Sequence, residues 1–119
     1  MDMTRLREQI KQHPDFHKAG MILYHNGVVR EDSRDKRKVS GLKVAVDHEK
    51  LERILQENRK RPGIVEILVE IAEDKVLSVG DDVMLLVVAG DVRENVIRTL
   101  EDTLNAIKST VTRKTEYYL

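Results

Sequence analysis

The chain has 119 residues, enough for one domain with a single core. Lys+Arg and Asp+Glu both number 21, and this balance argues against a general binder of nucleic acid or anionic membranes. Cysteine is absent, which excludes disulfides, thiolate metal sites and cysteine nucleophiles and fits a reducing compartment. No apolar run approaches the roughly 20 residues that span a bilayer, and the N-terminus is too polar for a signal peptide, so we expect a cytoplasmic protein.

The N-terminal part of the chain predicts a helix, a strand and a charged loop. Apolar residues at helical spacing predict a helix over residues 3–12, which His13-Pro14 ends. Residues 19–30 are typical of extended structure. The loop at residues 31–38 has no apolar side chain, so we expect it to be solvated and mobile.

The middle of the chain predicts three strands and a helix. Residues 42–46 alternate as in a short strand, and Asp47 is placed to cap a helix over residues 48–60. Two almost wholly apolar strands follow, at residues 64–71 and 82–89. Strands without alternation are usually covered on both faces, and we expect three helices to be too few to cover both. A homodimer is therefore predicted.

The C-terminal part predicts the longest helix and a last strand. Gly90-Asp91 is a start signal, with Glu94 at the capping-box position relative to Asp91. Residues 112–119 predict the final strand. The order of elements predicts an α+β fold with the helices packed on one face of a mostly antiparallel sheet. We expect one domain over residues 1–119, with residues 1–18 as a helical extension. The apolar stripe of the long helix comprises Val92, Val96, Ile97, Leu100, Leu104, Ile107 and Val111.

Metal and nucleophile motifs are missing from the sequence. The four histidines lack the spacing of zinc ligands, so we interpret them as surface or hydrogen-bonded residues and predict no metal site. No serine lies in an elbow-like glycine context, and no glycine-rich phosphate loop is present. The histidines are His13, His17, His25 and His48.

Basic residues at the ends of the predicted elements are the candidate anion ligands. Arg30 ends the first strand, and Arg93 lies in the first turn of the long helix. Free N–H groups in a first turn favour an anion, whereas a cation there opposes the helix dipole. Lys108 lies near the end of the same helix, and Arg113 and Lys114 lie on the last strand. From the residues alone, the sequence predicts a soluble α+β domain with a candidate anion site.

Several of these residues form an ordered pattern. A turn at Gly80-Asp81 opens a hydrophobic strand, Arg93 follows in the next helix, and Lys108 lies near the end of that helix. Upstream, a Gly-Val-Val-Arg segment ends at Arg30 and precedes a polar loop. The order and spacing of these motifs resemble the large, catalytic subunit of molybdopterin synthase, and the resemblance covers the chain from about Ala19 to Glu116.

The chain also departs from that family pattern. Val92 stands where the family has a histidine. Lys108 and Lys114 are one residue closer together than the family's pair of lysines, so Arg113 is an alternative to Lys114 as the second basic residue.

The resemblance implies an α/β-hammerhead-like fold and a role in molybdenum cofactor biosynthesis. The implied reaction is sulfur transfer from the thiocarboxylate at the C-terminal Gly-Gly of a ubiquitin-like small subunit to cyclic pyranopterin monophosphate, which forms molybdopterin. The implied assembly is a homodimer with a small subunit at each end, without metal or organic cofactor. Two alternatives are a catalytically silent relative that binds a partner's tail, and a small domain that binds a phosphate-bearing ligand.

The resemblance also implies roles for individual residues. Arg30 and Arg93 would bind the substrate phosphate and the pterin or tail carboxylate. Lys108 would be catalytic, with Lys114 or Arg113 assisting it. We expect these groups to meet in one pocket, either within a chain or across a subunit boundary. Glu116 would orient one of the lysines.

Overall fold

The computed structural model describes all 119 residues, which form three helices and five strands. A 3₁₀ turn at Phe16–Lys18 follows the first helix, and a π-helical turn at Ile107–Val111 connects the last helix to the last strand. None of the helices has the length and apolar composition that a membrane crossing requires. The elements are α1 (Met3–Lys11), β1 (Met21–Val28), β2 (Val39–Val46), α2 (His48–Arg59), β3 (Ile64–Ile71), β4 (Asp82–Gly90), α3 (Arg93–Ala106) and β5 (Thr112–Tyr118).

The strands form two antiparallel sheets, which confirms the α+β prediction but divides the expected single sheet. β4 is the central strand of a three-stranded sheet with the order β1-β4-β3, and β2 pairs with β5 in a second sheet. The segment between β3 and β4 connects the two sheets, because Leu77 and Leu42 exchange backbone hydrogen bonds of 2.7 and 2.9 Å.

The chain's own helices cover both faces of the larger sheet. α2 and α3 pack on one face, in a core that includes Ile67, Leu86 and Val96. α1 packs on the other face, where Leu6 and Ile10 are buried against β4. Only α2 and α3 therefore share one face as predicted, and the predicted extension contributes to the core. The unbroken apolar run of β4 is explained within one chain and needs no second copy.

The start of α3 differs from the predicted capping box. The Oδ1 atom of Asp91 accepts hydrogen bonds from the backbone N–H of Val92 at 2.6 Å and from the side chain of Asn95 at 2.9 Å. Glu94 instead lies beside Arg93, with 3.4 Å between Oε1 and Nε. α3 thus begins at Arg93, after Val92, which as the N-cap residue offers no side-chain cap.

The buried stripe of α3 is also displaced from the predicted one. Val92 and Ile97 are 50% and 48% exposed, whereas Thr99 and Thr103 are buried. Apolar spacing predicted Val92 and Ile97 on a stripe that faces a sheet or a partner, and it gave no signal for the threonines at core positions. Val92 and Ile97 are therefore exposed apolar side chains at the start of α3.

The charged segment at residues 31–38 forms a turn with internal hydrogen bonds where the sequence predicts a solvated, mobile loop. Ser33 is buried, and its Oγ accepts a hydrogen bond from the backbone N–H of Arg37 at 3.0 Å. Lys36 has a positive φ of 64°, which closes the turn. The guanidinium of Arg37 lies 3.6 Å from the centroid of the Tyr118 ring, a cation–π contact that ties the turn to β5.

Candidate functional site

A cleft of about 1250 Å³ opens between the two sheets. Its walls come from the end of β1, the turn at residues 31–38, the π-helical turn and β5. An apolar floor lowers the local dielectric and strengthens electrostatic interactions with a bound ligand. The floor residues are Val39, Leu42, Val44, Ile71, Val83 and Met84.

The cleft brings together four of the six predicted site residues, from three separate segments. They are Arg30, Lys108, Lys114 and Glu116. Arg30 is positioned by the residue before it, because Val29 extends the pairing of β1 beyond the strand. The backbone N–H of Val29 donates to Asp81 at 2.9 Å, and its carbonyl accepts from Gly80 at 2.7 Å. The predicted turn at Gly80-Asp81 thus fixes the backbone from which Arg30 projects.

The π-helical turn presents Lys108 to the cleft. Ile107 is fully buried and anchors the turn, while the neighbouring Lys108 is exposed. The hydroxyls of Ser109 and Thr110 donate to the carbonyl of Ala106 at 3.3 and 2.7 Å. Single π-helical turns occur frequently at functional sites, where they redirect a side chain.

The pleat of β5 separates the two alternatives for the second basic residue. Lys114 shares a face with Thr112 and Glu116, and all three line the cleft. The Nζ of Lys114 lies 3.9 Å from Oε1 of Glu116. Arg113 lies opposite the exposed Ala45 and does not line the cleft, because successive strand residues point to opposite faces. Of the two residues, only Lys114 lines the cleft.

Arg93 lies outside the cleft of its own chain. It precedes Lys108 by fifteen positions, which corresponds to roughly 20 Å along a helix. Its side chain is 79% exposed, and its ion pair is with the adjacent Glu94. One chain does not unite Arg93 with the other predicted residues.

The cleft is strongly cationic although the whole chain is neutral. Lys38 is held by Asp32, with 2.8 Å between Nζ and Oδ1, and this hydrogen bond raises the pKa of Lys38. Four other cations, among them Arg30 and Lys108, form no ion pair, so the cleft favours an anionic ligand. Two carboxylates, Asp32 and Glu116, line the cleft with six cations, Arg30, Arg34, Lys36, Lys38, Lys108 and Lys114.

His25 also lines the cleft, although the sequence assigned it no role there. Its Nε2 is shielded from solvent and has no hydrogen-bond partner. Burial, and then the nearby charge of Lys108, lowers the pKa of His25 below 6.5, which favours the neutral ring. The alternation of β1, which puts Leu23 and His25 on one face, was the signal that could have placed His25 inside. No group of three or more His, Asp or Glu side chains is arranged to hold a metal ion.

Comparisons with known proteins identify the family. The family model described as MoaE protein matches residues 1–110. Molybdopterin synthase from Staphylococcus aureus matches with a TM-score of 0.80 and 23% identity, over 100% of this chain and 86% of that chain. Molybdopterin cofactor biosynthesis protein E from Burkholderia multivorans matches with a TM-score of 0.77 and 20% identity, over 100% and 84%.

A complex of subunits 1 and 2 of the molybdopterin-converting factor from Helicobacter pylori 26695 has a chain that matches with a TM-score of 0.72 and 17% identity, over 99% of this chain and 84% of that chain. No curated protein matches. Identities this low show the fold alone, whereas the family model matches most of the chain. The chain belongs to the MoaE protein family, that of the large subunit of molybdopterin synthase, with a role in molybdenum cofactor biosynthesis.

Proposed function

We propose that the chain is the catalytic subunit of a molybdopterin synthase. It transfers sulfur from the thiocarboxylate at the C-terminal Gly-Gly of a ubiquitin-like small subunit to cyclic pyranopterin monophosphate, in the cytoplasm, without metal or organic cofactor. The observation that carries this proposal is the convergence of Arg30, Lys108, Lys114 and Glu116 on one cleft. Arg30 comes from a distant part of the chain, and nothing local in the sequence requires it to meet the other three residues.

The side chains of the cleft support this chemistry. The guanidinium of Arg30 has a planar set of donors that suits a phosphate or carboxylate. Lys108 has no ion pair, so its ammonium is free to polarise the reacting centre or to transfer a proton. Glu116 forms an ion pair with Lys114 and orients its ammonium group. The volume of about 1250 Å³ exceeds that of a typical small-molecule pocket and leaves room for a peptide tail beside the pterin.

The proposed assembly is a homodimer that binds one small subunit at each end. The two-subunit complex from Helicobacter pylori supports a small-subunit partner. Val92 and Ile97 support a second copy, because both are exposed apolar residues close to Arg93 in the chain. A second copy docked there would give Arg93 an anionic ligand to bind in the cleft of its partner, which its own chain does not offer.

Replacing Lys108 tests the proposal directly. We expect Lys108→Ala to lower conversion of cyclic pyranopterin monophosphate by on the order of 10²- to 10⁴-fold, the usual contribution of a proton-transferring side chain. The side chain is exposed, so the free energy of unfolding should change by less than about 0.5 kcal/mol. The assay combines the purified chain, the thiocarboxylated small subunit and the precursor.

Lys43→Ala is the matched control, because Lys43 is an exposed lysine of β2 that does not line the cleft. Undiminished conversion by Lys108→Ala would reject the role of Lys108. A wild-type chain that binds the tail peptide but converts nothing, with both substrates saturating, would instead identify the silent relative that Val92 suggests.

A further inference from the structure

His25 lies where the core of the larger sheet ends and the cleft begins. Leu23, two residues earlier on the same face of β1, packs against the core. The cross-strand neighbour of His25 is Leu86, which is fully buried. The strand pairing holds the backbone of His25, while its Nε2 has neither solvent nor a protein partner. A buried nitrogen without a hydrogen bond costs folding free energy, and a donor that reaches it removes that cost.

Of the charged groups in the cleft, Lys108 is the one whose charge shifts the pKa of His25. Its charge contributes to the low pKa of His25, after the larger effect of burial. The strand beside His25 presents only the apolar Leu86 and Met84. The other charged groups of the cleft are Lys114 and Glu116 on β5, and the cations and Asp32 that follow β1, and none of them shifts the pKa of His25.

Lys108 has unused hydrogen-bond donors, and His25 has an unused acceptor. Lys108 carries three N–H donors and forms neither a hydrogen bond nor an ion pair within the chain. His25 has an unpartnered ring nitrogen that accepts a hydrogen bond when the proton resides on Nδ1. Both residues line the same cleft, and the flexible stem of Lys108 lets its ammonium take several positions there.

We propose that His25 is a positioning residue for Lys108: in the occupied cleft, its Nε2 accepts a hydrogen bond from the Lys108 ammonium and holds Nζ against the bound substrate. This inference rests on the proposed function, in which Lys108 is catalytic. A bound ligand displaces water from Lys108, and His25 then replaces part of that lost solvation. Fixing the flexible stem also removes rotamers in which Nζ points out of the cleft.

Two substitutions separate positioning from packing. His25→Phe keeps a ring but removes the acceptor, and we expect it to lower kcat by roughly 10- to 100-fold, the cost of a misplaced catalytic group, with little change in KM. His25→Gln places an amide oxygen near the position of Nε2 and should restore most of kcat. His17→Gln is the control, since His17 is exposed in the 3₁₀ turn, far from the cleft lining.

The pH profile gives a second readout. Protonation of the ring removes the acceptor, so wild-type kcat should fall as pH falls through the lowered pKa of His25, which lies below 6.5. Glutamine does not titrate, so His25→Gln should lack this acidic limb. Wild-type kcat and an unchanged profile in His25→Phe would overturn the inference, as would equal losses in both variants.

A measurement on the protein alone keeps this test independent of turnover. NMR titration of His25 in Lys108→Met should give a pKa higher than in the wild type but still below 6.5, because burial remains. Lys114→Met, the control, should leave it unchanged. If the wild type converts nothing, the proposed function fails while this titration is still readable. If the pKa of His25 is the same in Lys108→Met as in the wild type, the proposed contact between His25 and Lys108 is overturned.

Discussion

Lys114 and Arg113 are neighbours in the chain, and the strand geometry of β5 turns their side chains to opposite faces. Lys114 lines the cleft beside Glu116, whereas Arg113 faces away from it. We expect Lys114→Ala to lower conversion by roughly 10- to 100-fold, because the cleft loses a cation that an anionic transition state uses. Arg113→Ala should stay within about twofold of the wild type. The steady-state rates of the two variants check this, and the reverse order would place Arg113 at the site.

At the same scale, the sequence predicted those residues that a family pattern marks and missed those that only the tertiary structure brings in. Arg30, Lys108, Lys114 and Glu116 were predicted from motif order and spacing, and they converge. His25 was interpreted as a surface or hydrogen-bonded residue, because a single histidine in a strand has no spacing from which to infer a ligand. The cations of the turn at residues 31–38 are exposed, as the polar run predicted, but the burial of Ser33 that folds this turn at the cleft cannot be foreseen from that run.

Among the elements, α1 shows how a helix can be predicted correctly and its packing missed. Apolar spacing predicted the helix, and the side chain of Asp2 caps it by accepting from Thr4 at 3.0 Å. The spacing does not say which face of which sheet receives the helix. Leu6 and Ile10 occupy the face of β4 opposite α3, so α1 completes the cover of that strand.

The packing of α1 leads to a stability prediction. Ile10 is fully buried, so Ile10→Ala should reduce the free energy of unfolding by about 2–5 kcal/mol through lost burial and a residual cavity. Arg7→Ala, an exposed change on the same helix, should cost less than about 0.5 kcal/mol. Urea unfolding curves measure both. Equal stability of Ile10→Ala and the wild type would mean that α1 is a dispensable extension.

The junction of α3 with β5 is the element that local periodicity describes least well. Ile107 and Val111 are four residues apart, which fits an α-helix as well as it fits the π-helical turn that the structure contains. Both side chains are buried. The wider turn changes the direction from which Lys108 leaves the backbone. In this turn the hydroxyls of Ser109 and Thr110 donate to the carbonyl of Ala106, and an apolar pattern does not predict such hydrogen bonds.

For the whole molecule, the net charge does not show how unevenly the charged residues are distributed. The formal net charge is zero, yet six cations and two carboxylates line one cleft. The chain is elongated, with extents of 48 × 26 × 23 Å, and the long helix α3 separates Arg93 from Lys108. The predicted phosphate ligand that the cleft lacks is thus far away for a simple geometric reason, and in the proposed symmetric dimer a second chain would supply it.

Mixing two inactive variants tests this arrangement. In the proposed dimer each cleft takes Lys108 from one chain and Arg93 from the other, so Arg93→Ala and Lys108→Ala should each abolish most conversion. Unfolded and refolded together in equal amounts, half of the dimers are mixed, and one of the two clefts in each has both residues. We expect about a quarter of wild-type activity from the mixture. Activity no higher than that of the separate variants, or a monomeric mass at micromolar concentration, would show that each cleft works without Arg93 of a partner.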